Sequence, residues 1–474
     1  MKSKLNYILM FLAIFIFLIG IFIENITTIL IGVLILWLSN IVYSFFDIKN
    51  RIVFLMFNAT FFIFLLGRIT VTGIFKYKEG YTGILGTAFN DYEVIYTMLL
   101  VLFLSLLFLY IGNHFFEMIK NNRKKTVVNL CQNEEQYRST LRGWSKFIFL
   151  TSILLKYIYI VEMINVSTTQ GYYETFAVFK SSLPSIIVIY SNFFEIAFFA
   201  LLATLPSKKE SIPFIGLYLL EGILMLLSGR RSEIMLNLLI VFIYIIFRHS
   251  LNSNEKWLKK KYIVYVAAMV PIMLILLTSV EVIRGNKIDT NTSLLEKIQE
   301  FFYSQGISVN LIGYSKVFKH SILQNNNYTF GPVIEFYLTK ISREYTFFGQ
   351  TVDRAVNGHL FSHTISYLIM PDLYLRGVGY GSSFVAEMYS DFSYVGVIVG
   401  SFVYGLLLNI INRLYYYKNV LFVTLAFMIT RELLFTPRAT TLYFLVNVFS
   451  PTKILGGGVV FFGAYILFKS LKSK

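Results

Sequence analysis

Apolar runs follow one another along this chain, separated by brief polar joints, and most are close to the length a helix needs to cross the hydrocarbon core of a bilayer. The windows fall near Leu5 to Ile23, Ile26 to Phe46, Ile52 to Leu66, Val94 to Ile111, Phe147 to Ile164, Ile186 to Leu205, Phe214 to Leu227 and Ile234 to Phe247. Four more follow near Tyr262 to Val280, Tyr394 to Ile411, Val420 to Phe435 and Leu442 to Phe468. Because an unpaired backbone group is costly in lipid, these runs predict helices: an all-α polytopic membrane protein of about 12 spans. The rhythm fails once, from Val282 to Phe392, where a long interval rich in Tyr, Ser, Asn and Arg separates the ninth window from the tenth. The predicted organisation is a bundle of nine spans over 1–281, a partly helical loop domain over 282–392, and a bundle of spans 10 to 12 over 393–474. Within the last window, Ser450-Pro451-Thr-Lys453 and Gly456-Gly-Gly458 leave a broken or re-entrant helix open.

Composition sharpens this picture. Of 474 residues, 56% are hydrophobic and only 14% charged, against roughly 25% charged in a soluble globular chain. The run after Met1-Lys-Ser-Lys4 is too long for a signal-peptide core and no Ala-x-Ala site follows it, so it is read as the first span. Cys131 is the single cysteine, which excludes an intrachain disulfide and a cysteine-rich metal site.

The formal charge of +16 is informative through its placement. With the N-terminus inside, 23 Lys and Arg fall on cytoplasmic joints and nine on short outer loops and nearby span ends. That bias predicts both termini cytoplasmic and the long interval outside. Because the excess is scattered over membrane joints, it argues against nucleic acid as a partner. The basic joint from Asn113 to Lys146 is too short for a domain and reads as topological.

Inside the long interval, Ser293-Leu-Leu-Glu296 fits a capping box. Leu294, Leu295, Ile298, Phe301 and Phe302 then recur at helical spacing. They predict an amphipathic helix, on the membrane surface or packed over the spans, with turns near Asn325 to Asn327 and at Gly331-Pro332.

The chemistry-bearing residues are those that oppose the topological bias. Arg230 and Arg231 occupy a very short outer turn in Ser228-Gly-Arg-Arg-Ser232; Arg284 follows the ninth window; Arg431 and Arg438 flank the outer turn after the eleventh. All are predicted at one depth near the outer headgroup plane, with Glu387 and Asp391 ahead of the tenth window. A guanidinium offers a planar fork of donors that matches phosphate oxygens, so this depth suits the phosphates of a polyprenyl diphosphate carrier. The plainer reading of any single arginine here is a side chain snorkelling to lipid headgroups.

Glu387 and Asp391 are four apart and share a face if a helix begins near Ser382 or Ser383. Either could take a proton from a sugar hydroxyl or orient an arginine. His359 is a further possible base. With His363 it makes only a weak metal pair, so polar loop residues are the simpler reading. Asp91-Tyr-Glu93 resembles an acidic metal motif too short to be specific, and Lys156 lies near enough to a span end to snorkel. Gly377, Gly379 and Gly381 match no phosphate loop, and Gly396, Gly400 and Gly405 have the spacing of close helix packing. No cofactor motif and no metal set emerge.

Ser228-Gly-Arg-Arg-Ser232, Gly379-Tyr-Gly-Ser-Ser-Phe-Val-Ala-Glu387 followed by Tyr389-Ser-Asp-Phe-Ser-Tyr-Val-Gly396, and Arg431 with Arg438 resemble the Wzy-type O-antigen or capsular repeat-unit polymerases. By topology the resemblance covers most of the chain. It implies a metal-independent glycosyltransferase of the bacterial cytoplasmic membrane that joins undecaprenyl-pyrophosphate-linked oligosaccharides at its outer face. A chain-length regulator and a flippase are implied partners. On this reading Arg230, Arg231, Arg284, Arg431 and Arg438 hold the pyrophosphate, and Glu387, then Asp391, then His359 is the base. An O-antigen-ligase-like transferase would have nearly the same architecture. A flippase or other transporter would line a central path with charge, often in repeated halves.

Overall fold

In the computed structural model, eleven helices among the described residues are long and apolar enough to cross a bilayer. Each coincides with a predicted window. The described residues are 2–78, 91–119, 132–170, 179–251, 255–258, 293–322, 327–342, 347 and 349–473, and they contain helices and no strand. The ninth window, Arg284 and Cys131 lie outside them. The chain divides into two compact units that interleave along the sequence. Unit 1 comprises Met1–Lys120, Thr292–Ile410 and Leu433–Val446; unit 2 comprises Asn121–Asn291, Ile411–Glu432 and Asn447–Lys474.

In unit 1, helices Lys2–Phe22 and Ile26–Phe46 form a hairpin capped by Asn25, whose side chain accepts from Thr28 N at 2.9 Å. Polar side chains in this apolar interior hydrogen-bond to one another and to backbone carbonyls, as a setting poor in water favours. Ser39 Oγ donates to Asn6 Oδ1 at 2.9 Å, Asn6 Nδ2 to Tyr110 OH at 3.1 Å, and Asn40 Nδ2 to the Leu106 carbonyl at 3.1 Å. Arg51 grips Glu117 with two donors at 2.8 Å each.

The predicted amphipathic helix is Leu294–Gln305, with its capping box formed by Ser293 and Glu296. It packs over a span: Arg68 Nη1 donates to the Tyr303 carbonyl at 3.0 Å, and the guanidinium stands over the Tyr303 ring. Gly331-Pro332 is the start of helix Gly331–Phe336 rather than a turn, with proline in the first turn where its missing N–H costs nothing. Of the predicted turn near Asn325 to Asn327, only Asn327 is described, at φ 46°.

Helix Tyr92–Ile119 meets Phe384–Leu414 at a small-residue crossing. A Cβ on Gly112 would collide with the Phe402 carbonyl, and one on Gly405 with that of Leu109. Ser401 Oγ donates to Ser105 Oγ at 2.9 Å beside them. Gly405 therefore serves helix packing as its spacing predicts. Gly396 and Gly400 do something different. Ser393, at φ 53° and ψ −145°, breaks the helix sharply, and these two glycines receive Met388 from the segment ahead of the break.

Unit 2 is built around the long helix Gln132–Gln170, against which Phe193–Ala203, Lys208–Leu227 and Pro451–Lys472 pack. Trp144 Nε1 donates to the Val459 carbonyl at 2.9 Å and ties two of them together. The last predicted window is broken at Ser450-Pro451, one of the two interruptions its sequence offered. Its break falls between Tyr443–Val448 and Pro451–Lys472, while Gly456-Gly-Gly458 stays inside one continuous helix. Gly456 lies against Phe193 and Ile196, so the glycines thin a packed face instead of interrupting the helix.

Candidate active site

Helix Lys208–Leu227 closes at Ser228 and Gly229. Gly229 N donates to the Leu226 carbonyl at 2.9 Å and Arg230 N to that of Met225 at 3.1 Å, the two bonds of a Schellman closure. Gly229 has φ 91°, which glycine adopts without a Cβ penalty. Arg230 then becomes the N-cap of helix Arg231–Ser250. A Cβ at Gly222 would stand 2.8 Å from Ile234 Cα, so this hairpin packs backbone to backbone. The close approach lets Asn237 Nδ2 reach across to Glu221 Oε2 at 3.0 Å.

At this end of unit 2 lies a cavity of about 340 Å³. Lys156, Arg230, Arg431 and Lys453 line it, and so do Glu195, Glu221, Glu233 and Glu432. Four cations thus face four carboxylates, and the lining is formally neutral. Arg431, in the last turn of Val420–Leu433, is the hub. Its Nε is 3.1 Å from Glu195 Oε1, its Nη1 3.6 Å from Glu432 Oε1, and its Nη2 contacts Glu233. Lys453 bridges Glu195 at 3.0 Å and Glu432 at 3.2 Å. The network holds the guanidinium fork at one place, and each paired charge lowers the cost of its neighbour in a low-dielectric setting.

Two lining groups stand apart from these pairs. Among the described residues Lys156 makes no ion pair; its Nζ donates to Asn192 Oδ1 at 3.0 Å. Glu221 likewise has no cation within 4 Å, and only its Oε2 accepts a hydrogen bond. One ammonium and one carboxylate oxygen are therefore left for a ligand.

Of the residues singled out in sequence, the structure brings Arg230 and Arg431 to this cavity. Arg231 is buried in the first turn of its helix and is not among the lining residues. Arg438, Glu387, Asp391 and His359 belong to unit 1. Arg438 Nη1 donates to the Gln305 carbonyl at 3.0 Å and to Gln305 Oε1 at 3.2 Å. Glu387 has no accessible surface, and three donors occupy its oxygens: Ser382 Oγ at 2.5 Å, Thr441 N at 2.7 Å and Thr441 Oγ1 at 2.7 Å. In this arrangement its carboxylate ties the start of its helix to Thr441.

Asp391 Oδ2 accepts from Thr329 N at 2.6 Å, while a Cβ at Gly331 would collide with the His359 carbonyl. Asp391 and His359 thus flank one segment, Tyr328 to Gly331. His359 N also donates to Glu335 Oε1 at 3.1 Å, and Glu335 holds Arg354 at 2.9 Å.

His363 is not a loop residue. It sits in helix Phe361–Ile369 with Nδ1 2.9 Å from Tyr374 OH, and burial together with the nearby Arg354 charge pulls its pKa down to about 4. Asp91 caps the start of Tyr92–Ile119 by accepting from Glu93 N at 2.9 Å. Among the described residues no three His, Cys, Asp or Glu side chains gather as metal ligands would.

Lys156 turns into the bundle instead of snorkelling. The reading of arginines alone also missed Glu195, Glu221, Glu233 and Glu432. The signal was present in Phe-Phe-Glu195-Ile-Ala and Leu-Leu-Glu221-Gly-Ile, where a carboxylate interrupts an apolar span; such a residue marks a site by default.

The family model for O-antigen polysaccharide polymerase Wzy matches residues 5–470. No curated protein and no solved structure matches the chain.

Proposed function

Because the chain belongs to the O-antigen polysaccharide polymerase Wzy family, we propose that the unit 2 cavity is where it grips the diphosphate of an undecaprenyl-diphosphate-linked oligosaccharide and transfers the glycan to the next repeat unit. Polymerisation breaks the bond between the anomeric carbon and the diphosphate oxygen, and negative charge gathers on the departing group. Fixed cations in a site poor in water stabilise that charge without reorganising. The observation that carries the reading is the convergence of Arg230, Arg431, Lys156 and Lys453 on one cavity from four separate chain segments. Arg230 and Arg431 supply forks that match phosphate oxygens, and Lys156 supplies a point charge with no carboxylate of its own.

The topology argued from charge supports transfer at the outer face of the cytoplasmic membrane. Under it, Glu221, Arg230, Glu233, Arg431 and Lys453 all fall toward the outer ends of their helices, where a carrier's headgroup would lie. Both termini are then cytoplasmic, and 282–392 is an outer segment. Its Asp391 and His359 flank the segment Tyr328 to Gly331, and the enclosed Glu387 is proposed to position its helix. Neither a metal nor a cofactor enters this scheme, and a chain-length regulator and a flippase remain proposed partners.

The test is product analysis. Purified protein is incubated with lipid-linked repeat units extracted from a strain lacking the polymerase, with EDTA present. A ladder of lengths is expected. A single transfer would make the protein a ligase, and an unchanged substrate a transporter. Arg230→Ala and Lys156→Ala are expected to remove the ladder while protein persists in the membrane; normal ladders from both would overturn the assignment of the cavity.

A further inference from the structure

Glycan transfer needs a group that takes the proton of the attacking hydroxyl, and we infer that Glu221 is this catalytic residue; the inference rests on the unit 2 cavity being the transfer site. Four carboxylates line the cavity, and their surroundings separate them. Glu195 lies 3.1 Å from Arg431 and 3.0 Å from Lys453; Glu432 lies 3.6 Å and 3.2 Å from the same two groups; Glu233 contacts Arg431. A carboxylate engaged by a guanidinium or an ammonium has its lone pairs committed and its negative charge compensated, so it accepts a further proton poorly. Glu221 has no such partner among the described residues. Asn237 Nδ2 holds Oε2 at 3.0 Å, and Oε1 accepts no hydrogen bond.

The position is also held as a base must be held. Asn237 is itself fixed, because Nδ2 donates to the Tyr218 carbonyl at 3.2 Å and Oδ1 accepts from Arg431 Nη2 at 3.5 Å. The carboxylate is therefore oriented by an amide that is tied in turn to the cation hub. A neutral donor orients it without compensating its charge. Glu221 is only 3% exposed yet lines the cavity beside Lys156 and Arg230, so a hydroxyl can reach it only from within the site.

The step balances. The acceptor hydroxyl oxygen forms a bond to the anomeric carbon of the donor glycan, and its proton passes to Glu221. The bond from that carbon to the diphosphate oxygen breaks, and the electron pair leaves with the diphosphate beside Lys156 and Arg230. The proton on Glu221 returns to solvent or to the departing diphosphate before the next cycle.

The experiment uses the full chain in nanodiscs, with lipid-linked repeat units as substrate and farnesyl diphosphate as the binding probe. Glu221→Gln keeps the size of the side chain and an oxygen for Asn237, so the fold should hold. Expected is a 10²- to 10⁴-fold fall in kcat, the range for losing a general base. Binding of farnesyl diphosphate should stay within about threefold, and the acid limb of the kcat profile should disappear. Added formate should restore part of the turnover of Glu221→Ala. A Glu221→Gln enzyme that turns over like the wild type would overturn the base while leaving the cavity in place, provided Lys156→Ala still loses the ladder. If Lys156→Ala and Arg230→Ala are also normal, the cavity itself is not the site. Loss of probe binding together with turnover in Glu221→Gln would make Glu221 a structural tie and overturn its catalytic role.

Discussion

Arg431→Ala removes the hub of the charged network, and the structure sets the size of the effect. Arg431 reaches Glu195 at 3.1 Å and Glu432 at 3.6 Å, and it contacts Glu233. After the substitution Lys453 still stands 3.0 Å from Glu195 and 3.2 Å from Glu432. Glu233 loses the one ion pair it makes among the described residues. Breaking a buried ion pair by deleting one partner costs about 3–5 kcal/mol, mostly because the other charge is stranded. Two of the three carboxylates keep Lys453, so the lower end, about 3 kcal/mol, is expected. The penalty belongs to the stranded carboxylate, so neutralising it should recover stability. Adding Glu233→Gln to Arg431→Ala is expected to return about 1–2 kcal/mol, a coupling within the usual range for contacting groups. Both are read from SDS-titrated unfolding in mixed micelles. An Arg431→Ala midpoint corresponding to less than about 0.5 kcal/mol of destabilisation, or a double variant that is simply additive, would refute the reasoning.

Three further outcomes are expected. His363 has its pKa lowered to about 4 from the usual 6.5, so the unfolded chain binds more protons between those values. Stability is then full above about pH 6.5 and falls as the pH drops toward 4, by at most about 3 kcal/mol for this residue; an imidazole NMR titration of His363 with a midpoint near 6.5 would contradict it. Gly112→Leu drives a side chain into the Phe402 carbonyl and is expected to cost at least 1–3 kcal/mol, seen as reduced membrane accumulation, whereas unchanged levels and melting would mean the crossing is loose. In a Cys131→Ser background, Val352→Cys in the proposed outer segment should react with an impermeant maleimide added to whole cells, and Lys472→Cys should react only after lysis. The reverse pattern would invert the topology.

The spans were legible because a water-free environment imposes one simple rule, an apolar run of helical length, and every window within the described residues is helical, the last one with a break before Pro451. The glycine positions were less so. Gly405 and Gly396 belong to one run of small residues, yet one packs on a neighbouring helix and the other receives Met388 after the chain breaks at Ser393. That break depends on a serine with positive φ, which no propensity announces. The site was half legible. Arg230 and Arg431 stand out because positive charge on an outer turn opposes topology. The topological argument counts Lys and Arg alone, however, and so passed over Glu195, Glu221, Glu233 and Glu432. The fold pairs Glu195, Glu233 and Glu432 with the cations and leaves Glu221 without one among the described residues. The enclosure of Glu387 was hidden for a related reason: its partner Thr441 lies far along the chain, and the spacing of Glu387 and Asp391 carries no trace of it.

The formal neutrality of the cavity bears on how a polymerase could bind and release the same headgroup many times. Cations gathered alone would be costly to bury and would hold product tightly once a diphosphate arrived. Where Glu432 and Glu195 already engage Arg431 and Lys453, an entering diphosphate must replace carboxylate contacts with phosphate contacts. Under the proposed role the exchange would be less favourable than binding to free cations, and release would be helped by the carboxylates' return. Under the proposed diphosphate site, Lys156, which makes no ion pair among the described residues, would supply the net attraction. Removing one competitor should therefore shift the balance toward binding. Glu432→Gln is expected to tighten farnesyl diphosphate about 3- to 10-fold, equivalent to about 0.7–1.4 kcal/mol, and to slow steady-state turnover through product release. Lys156→Ala should weaken the same probe by about 10-fold or more, the worth of one hydrogen bond to a charged group. Calorimetric titration in nanodiscs measures both, and weaker binding by Glu432→Gln would show that its carboxylate organises the cations for the ligand instead of competing with it.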